Sequence, residues 1–178
     1  MRMNIDNFEF KFACYLVPEL DDDGKCVAKM PQGRYKNAKT LFRNAYGGGP
    51  FCKFRIPRHH KTSGVYALLV DGSIKYVGEC INLSARYNSG YGNISPRNCF
   101  KGGQETNCRL NAQVFREVHL GRRVELWFHA SREHKVLKNT CSAFVHMSGI
   151  SAEHAQSLIR LSLDKYPCKP MNSSVRAF

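Results

Sequence analysis

Apolar and polar positions change rhythm along the chain, and the rhythm predicts its elements. Phe8-Glu9-Phe10-Lys11-Phe12 alternates with period two, so three rings share one face of a strand. Val17-Pro18 ends that strand, and Asp21 to Gly24 forms a turn. Residues 25–63 lose the alternation and are rich in Gly, Pro, Lys and Arg; Gly47-Gly48-Gly49-Pro50 excludes a helix interior. Residues 1–62 therefore read as an extension, irregular apart from one strand, that either packs on the main domain or forms an arm. Gly64 to Val70 is an apolar run, Asp71-Gly72 a two-residue turn, and Ser73 to Gly78 a second run. Asp-Gly between such runs favours a type I′ hairpin, in which both central residues take positive φ. A two-residue turn sets Val70 opposite Ser73 and, in a regular register, Tyr66 opposite Val77.

Helical spacing follows. Asn82 can cap a short helix to about Asn88, with Leu83 and Tyr87 at i and i+4 and Gly90 as its stop. Residues 91–106 read as a loop. Thr106 or Asn107 can cap a second helix whose face is Leu110, Val114 and Val118, ended by Gly121. Val124 to Phe128 is a third strand of this region. A last helix spans about Ser151 to Lys165, with Ala155, Leu158, Ile159 and Leu163 inward and Pro167 beyond its end. The predicted fold is α+β: a small three-stranded sheet, hairpin plus one strand, flanked by helices over residues 63–178.

Charge changes this picture. The 178 residues hold 27 Lys and Arg against 14 Asp and Glu, a net +13. The surplus is +2 over residues 1–50, +6 over 51–103 and +5 over 104–178. Fixed positive charge lowers the free energy of approach to a polyanion, with nucleic acid first and an anionic membrane second. No apolar run reaches the roughly 18 residues of a membrane span. No apolar segment follows Arg2 as a secretory signal would require, so the expectation is a cytoplasmic protein with reduced thiols. Four of the eight cysteines, Cys52, Cys80, Cys99 and Cys108, lie in polar or Gly-rich settings near the hairpin. They could gather around a structural zinc, but no C-x-x-C pair is present, and ordinary buried thiols are the leading expectation.

The chemistry concentrates on the hairpin. Tyr66 closes Gly64-Val65-Tyr66, Tyr76 opens Tyr76-Val77-Gly78, and Arg86 lies eight residues after Gly78. A guanidinium grips phosphate oxygens in a fork, and a cation beside a phenol favours its ionised form.

These residues resemble the signature of the GIY-YIG nuclease family, with Asn82 to Arg86 following like that family's first helix. The likeness runs from about Ser63 to Arg86 and continues less sharply through the helix, strand and helix beyond. It implies an endonuclease that hydrolyses DNA, duplex or branched, with one Mg²⁺ or Mn²⁺ held by a Glu on a later helix. It assigns Tyr66 as general base or water-orienting group, Tyr76 as its assistant and Arg86 as stabiliser of charge on the phosphorane. Pro170-Met171-Asn172 is similar to the family's closing Pro-x-x-Asn, one residue shorter, which makes Asn172 a candidate.

Two positions depart from the pattern. The family often carries His one turn after the Arg; here that residue is Gly90, so the base role falls on Tyr66 or Lys75. The metal position holds Ala155. Glu153 is the nearest acid on that helix and the preferred ligand, with Glu133 as its rival. Without a metal ligand, the alternative is a non-catalytic nucleic-acid-binding protein of the same fold. Arg97, Lys101 and Arg109, in or beside the 91–106 loop, are candidates for nucleic-acid contact. Cutting both strands of a palindrome would call for a homodimer or two successive nicks.

Overall fold

The computed structural model describes residues 1–5, 8–58, 60–130 and 145–146. The expected helix from Ser151 lies outside them, as do Glu133, Glu153 and Asn172. In chain order the strands are β1 (Arg2–Ile5), β2 (Phe8–Tyr15), β3 (Gly64–Val70), β4 (Ser73–Cys80), β5 (Val124–Ala130) and the short β6 (Val145–His146). Between β4 and β5 come a short helix α1 (Leu83–Ala85) and a longer one, α2 (Glu105–His119).

All the strands join one antiparallel sheet in the order β1-β2-β5-β3-β4-β6. The α+β class stands, and β5-β3-β4 is the expected trio at the centre. The three-stranded sheet itself is corrected: the extension contributes β2, which pairs along β5, and β1 beyond it. The reason is an open edge. Without β2, strand β5 would present a row of unpaired peptide groups. β3 is flanked on both sides and buried at every position, which is why its sequence is an unbroken apolar run rather than an alternation.

The sheet has two apolar faces. Tyr66, Leu68, Val70, Tyr76, Leu126 and Phe128 pack with Leu83, Tyr87, Tyr91, Leu110 and Val114 from the helical side. Val65, Ala67, Leu69, Val77 and Trp127 pack on the other face with Ile5 and Phe10 from the extension. A third cluster, Phe51, Ile94, Cys99, Phe100 and Cys108, fastens the second half of the extension to the segment before α2 and its first turn.

Candidate active site

One extra residue decides the site. The turn is as predicted, with φ of 47° at Asp71 and 78° at Gly72. The register is not: Val70 faces Ser73 and Leu69 faces Ile74, but Leu68 faces Tyr76 and Tyr66 faces Gly78. Lys75 is the residue left over, a β-bulge. Residues opposite one another share a face, so a regular hairpin would have put Tyr66 and Tyr76 on opposite sides of the sheet. The bulge puts both phenols on the helical side, with ring centres 6.0 Å apart. Gly78 is required by the same geometry: a Cβ there would collide with the Tyr66 hydroxyl and ring and come within 2.9 Å of Tyr76.

The segment after β4 supplies the rest. The Asn82 side chain accepts from the Ala85 N–H at 2.9 Å, a regular N-cap. The helix then widens into a π turn over Arg86–Tyr91, closed by the Gly92 N–H to the Tyr87 carbonyl at 2.6 Å. It does not stop at Gly90, as the sequence suggested. The wider winding brings Tyr91, five residues on, under Arg86; the guanidinium carbon lies 4.7 Å from the Tyr91 ring centre. The position expected to follow the Arg by one turn, Gly90, packs toward Asn107 instead.

The phenols form a chain. The Tyr66 and Tyr91 hydroxyls are 2.8 Å apart, and those of Tyr91 and Tyr76 are 3.5 Å apart. Arg86 also reaches the Tyr66 and Tyr91 hydroxyls. Two asparagines lock the segment from behind. Asn111, fully buried on α2, donates to the Tyr91 carbonyl at 2.6 Å and exchanges two 2.8 Å bonds with the Cys52 backbone. Asn88 pairs in the same two-bond fashion with Ile56. The extension thus braces the site through residues 52–56.

Burial governs the electrostatics. Tyr66, Tyr76 and Tyr91 are buried, whereas Arg86 is half-buried and is the member of the cluster that meets solvent. Burial pushes the Tyr66 phenol well above its ordinary pKa, the neighbouring phenols push the same way, and Arg86 pulls back without prevailing. Tyr76 is raised for the same leading reason. The idea that Arg86 eases proton release from Tyr66 is corrected: desolvation of the anion outweighs the single cation. Burial opposes the charge on Arg86 itself, but the Tyr91 and Tyr66 oxygens outweigh it, and the guanidinium is held firmly charged. The site offers a fixed cation at its solvent edge, backed by buried hydroxyls and suited to gripping an anionic oxygen.

The other candidates are spread out. Lys75 is half-buried at the bulge. Arg97 donates to the Lys101 carbonyl at 2.8 Å and lies over Tyr35, Lys101 lies over Phe42, and Arg109 over Tyr46. The 91–106 segment is not an open loop: Tyr91 and Phe100 are buried in it, and Pro96–Cys99 forms a turn of 3₁₀-helix. The four cysteines do not converge, since Cys52 and Cys80 belong to one core cluster and Cys99 and Cys108 to another. Among the described residues no three His, Cys, Asp or Glu side chains gather as a metal site would require. The carboxylates considered for a single Mg²⁺, Glu153 and Glu133, lie outside those residues. Sequence reasoning missed Tyr91, whose signal was present as an aromatic four residues after Tyr87, on the same helical face.

No family model, curated protein or solved structure matches this chain significantly.

Proposed function

We propose that this chain is a metal-dependent endonuclease that hydrolyses phosphodiester bonds in DNA. The observation that carries the reading is the meeting of Tyr66, Tyr76 and Arg86, from three separate stretches of sequence, around one buried hydroxyl, that of Tyr91. Arg86 would receive a phosphate oxygen at the solvent edge and offset the negative charge that grows there during hydrolysis. Tyr91 and Tyr66 hold the guanidinium in place. A neutral, wholly buried Tyr66 hydroxyl is a poor base and stands away from water, so the proton of the attacking water would pass to Lys75 in its neutral form or to a phosphate oxygen. Mg²⁺ or Mn²⁺ would neutralise the phosphate, with Glu153 as the proposed ligand by family resemblance.

Plasmid nicking in Mg²⁺ tests this reading. Arg86→Ala should lower the rate at least about a hundred-fold with the fold retained. Glu153→Gln should abolish nicking while Glu133→Gln leaves it intact; the reverse would exchange the ligand. The complete burial of the phenols favours one second reading, a non-catalytic nucleic-acid-binding protein of this fold. Wild-type protein that binds duplex, branched and single-stranded DNA but cleaves none of them would establish it.

A further inference from the structure

A second aromatic and cationic surface lies on the extension, apart from the tyrosine cluster. Between Asp23 and Asp71 the chain has ten Lys or Arg side chains and no Asp or Glu. Four of them, Arg34, Lys36, Lys39 and Arg43, are exposed in a stretch that also carries Tyr35, Phe42 and Tyr46. This stretch is pinned to the segment before α2. The Lys101 N–H donates to the Phe42 carbonyl at 2.9 Å, the Asn44 N–H to the Cys99 carbonyl at 3.0 Å, and the Asn44 amide to the Asn98 carbonyl at 2.6 Å.

The pinning seats cations of one segment on rings of the other. Lys101 lies 5.5 Å from the Phe42 ring centre and Arg109 lies 5.8 Å from that of Tyr46. Neither ring belongs to a core: Phe42 is 79% exposed and Tyr46 41%. Tyr35, by contrast, is packed on Phe100 with ring centres 4.9 Å apart. Beside Tyr46 a cleft of about 410 Å³ runs along the outer face of α2, with Arg109, Arg116 and His119 in its wall and no Asp or Glu. The Arg109 Nη2 is buried and has no hydrogen-bond partner among the described residues.

We propose that this surface binds unpaired, single-stranded DNA, with Phe42 and Tyr46 stacking on bases and the surrounding cations tracking the phosphates. Every base offers a π face, and a groove that combines aromatic rings with cations uses both parts of a single strand. A duplex hides its base faces and would leave both rings idle. An unbroken run of one sign of charge matches a uniform polyanion better than the mixed surface of a protein. The inference rests on the nucleic-acid part of the proposed function and not on cleavage.

The test is fluorescence anisotropy in EDTA with a labelled dT oligomer of about 12 nucleotides and an abasic oligomer of equal length, which keeps the phosphates and removes the bases. Wild-type protein should bind dT about a hundred-fold more tightly than the abasic strand, about ten-fold from each ring. Phe42→Ala should weaken dT binding about ten-fold, leave abasic binding unchanged and leave the thermal midpoint in place; Phe42→Trp should retain dT affinity. Adding Tyr46→Ala should erase the difference between the two oligomers. Equal binding of dT and abasic strands by wild type would overturn the proposal. So would tighter binding of duplex, of an rU oligomer, of anionic vesicles or of an acidic peptide. With no metal present, failure of plasmid nicking leaves this result standing, and loss of dT binding leaves nicking through Arg86 standing.

Discussion

Arg86 over Tyr91 and Lys101 over Phe42 are the same contact in two settings. Beneath Arg86 the ring is wholly buried and its hydroxyl is bonded to Tyr66. Beneath Lys101 the ring stands mostly in water. Such a contact contributes about 0.5–1 kcal/mol when exposed and about 2 kcal/mol when desolvated. The buried version fixes a guanidinium in one position, held by β3, β4, the π turn and α2 together. The exposed version fixes little and leaves a ring face free for a ligand. Burial, not residue type, separates a catalytic candidate from a recognition candidate.

The sharpest way to break the buried region is Gly78→Ala. Its methyl group would enter the Tyr66 ring, and overpacking of this kind should cost about 2–3 kcal/mol, read as a lower midpoint in urea denaturation. A stability within about 0.5 kcal/mol of wild type would mean that Tyr66 is not packed over Gly78. The comparison itself is tested by a pair: Arg86→Ala should cost about 2 kcal/mol and Lys101→Ala less than about 0.5 kcal/mol. Equal costs would remove the distinction drawn between the two settings.

Glu117 sharpens the point for ion pairs. It is buried on α2 and accepts from Arg116 and from Arg122 at 2.8 Å each. Burial acts to raise its pKa, but the two guanidiniums outweigh that and hold it below the ordinary value near 4.5. The unfolded chain therefore takes up this proton first. The stabilisation is complete above the ordinary value and is lost as pH falls through the depressed one. Glu117→Gln should cost about 1.5 kcal/mol at pH 7, with the gap to wild type closing below pH 4.5 in denaturation midpoints. Within the tyrosine cluster Tyr66→Phe is the mildest change: losing the hydrogen bond to Tyr91 should cost about 1 kcal/mol, and Tyr91→Phe slightly more because Tyr91 also faces Tyr76.

Much of this was legible from local pattern. Asp71-Gly72 announced the hairpin and its positive φ values, Asn82 announced its cap, and the apolar run from Gly64 to Val70 announced a strand. Phe8 to Phe12 announced a strand but not its partner, because pairing with β5 joins residues more than a hundred positions apart. The bulge at Lys75 carries no Gly or other turn residue to mark it, so the regular register was the natural expectation and the wrong one. Tyr91 was hidden because Gly90 reads as a helix stop and Tyr91 as the start of a loop, whereas the segment winds on through Tyr91 as a π turn.

The sequence by itself determined the chemistry available: two tyrosines on one hairpin, an arginine on the helix that follows, and a cationic chain. Hydrogen-bonding propensity and turn stereochemistry act over a few residues, so they can be read in order. Only the tertiary structure decided which of those groups meet and in what state. The bulge turned Tyr76 to the side of Tyr66, the π turn brought Tyr91 beneath Arg86, and Asn111 and Asn88 tied the segment to Cys52 and Ile56 of the extension. Packing then excluded water from the Tyr66 and Tyr76 phenols and kept these two neutral, a result of desolvation that no spacing of residues could have announced.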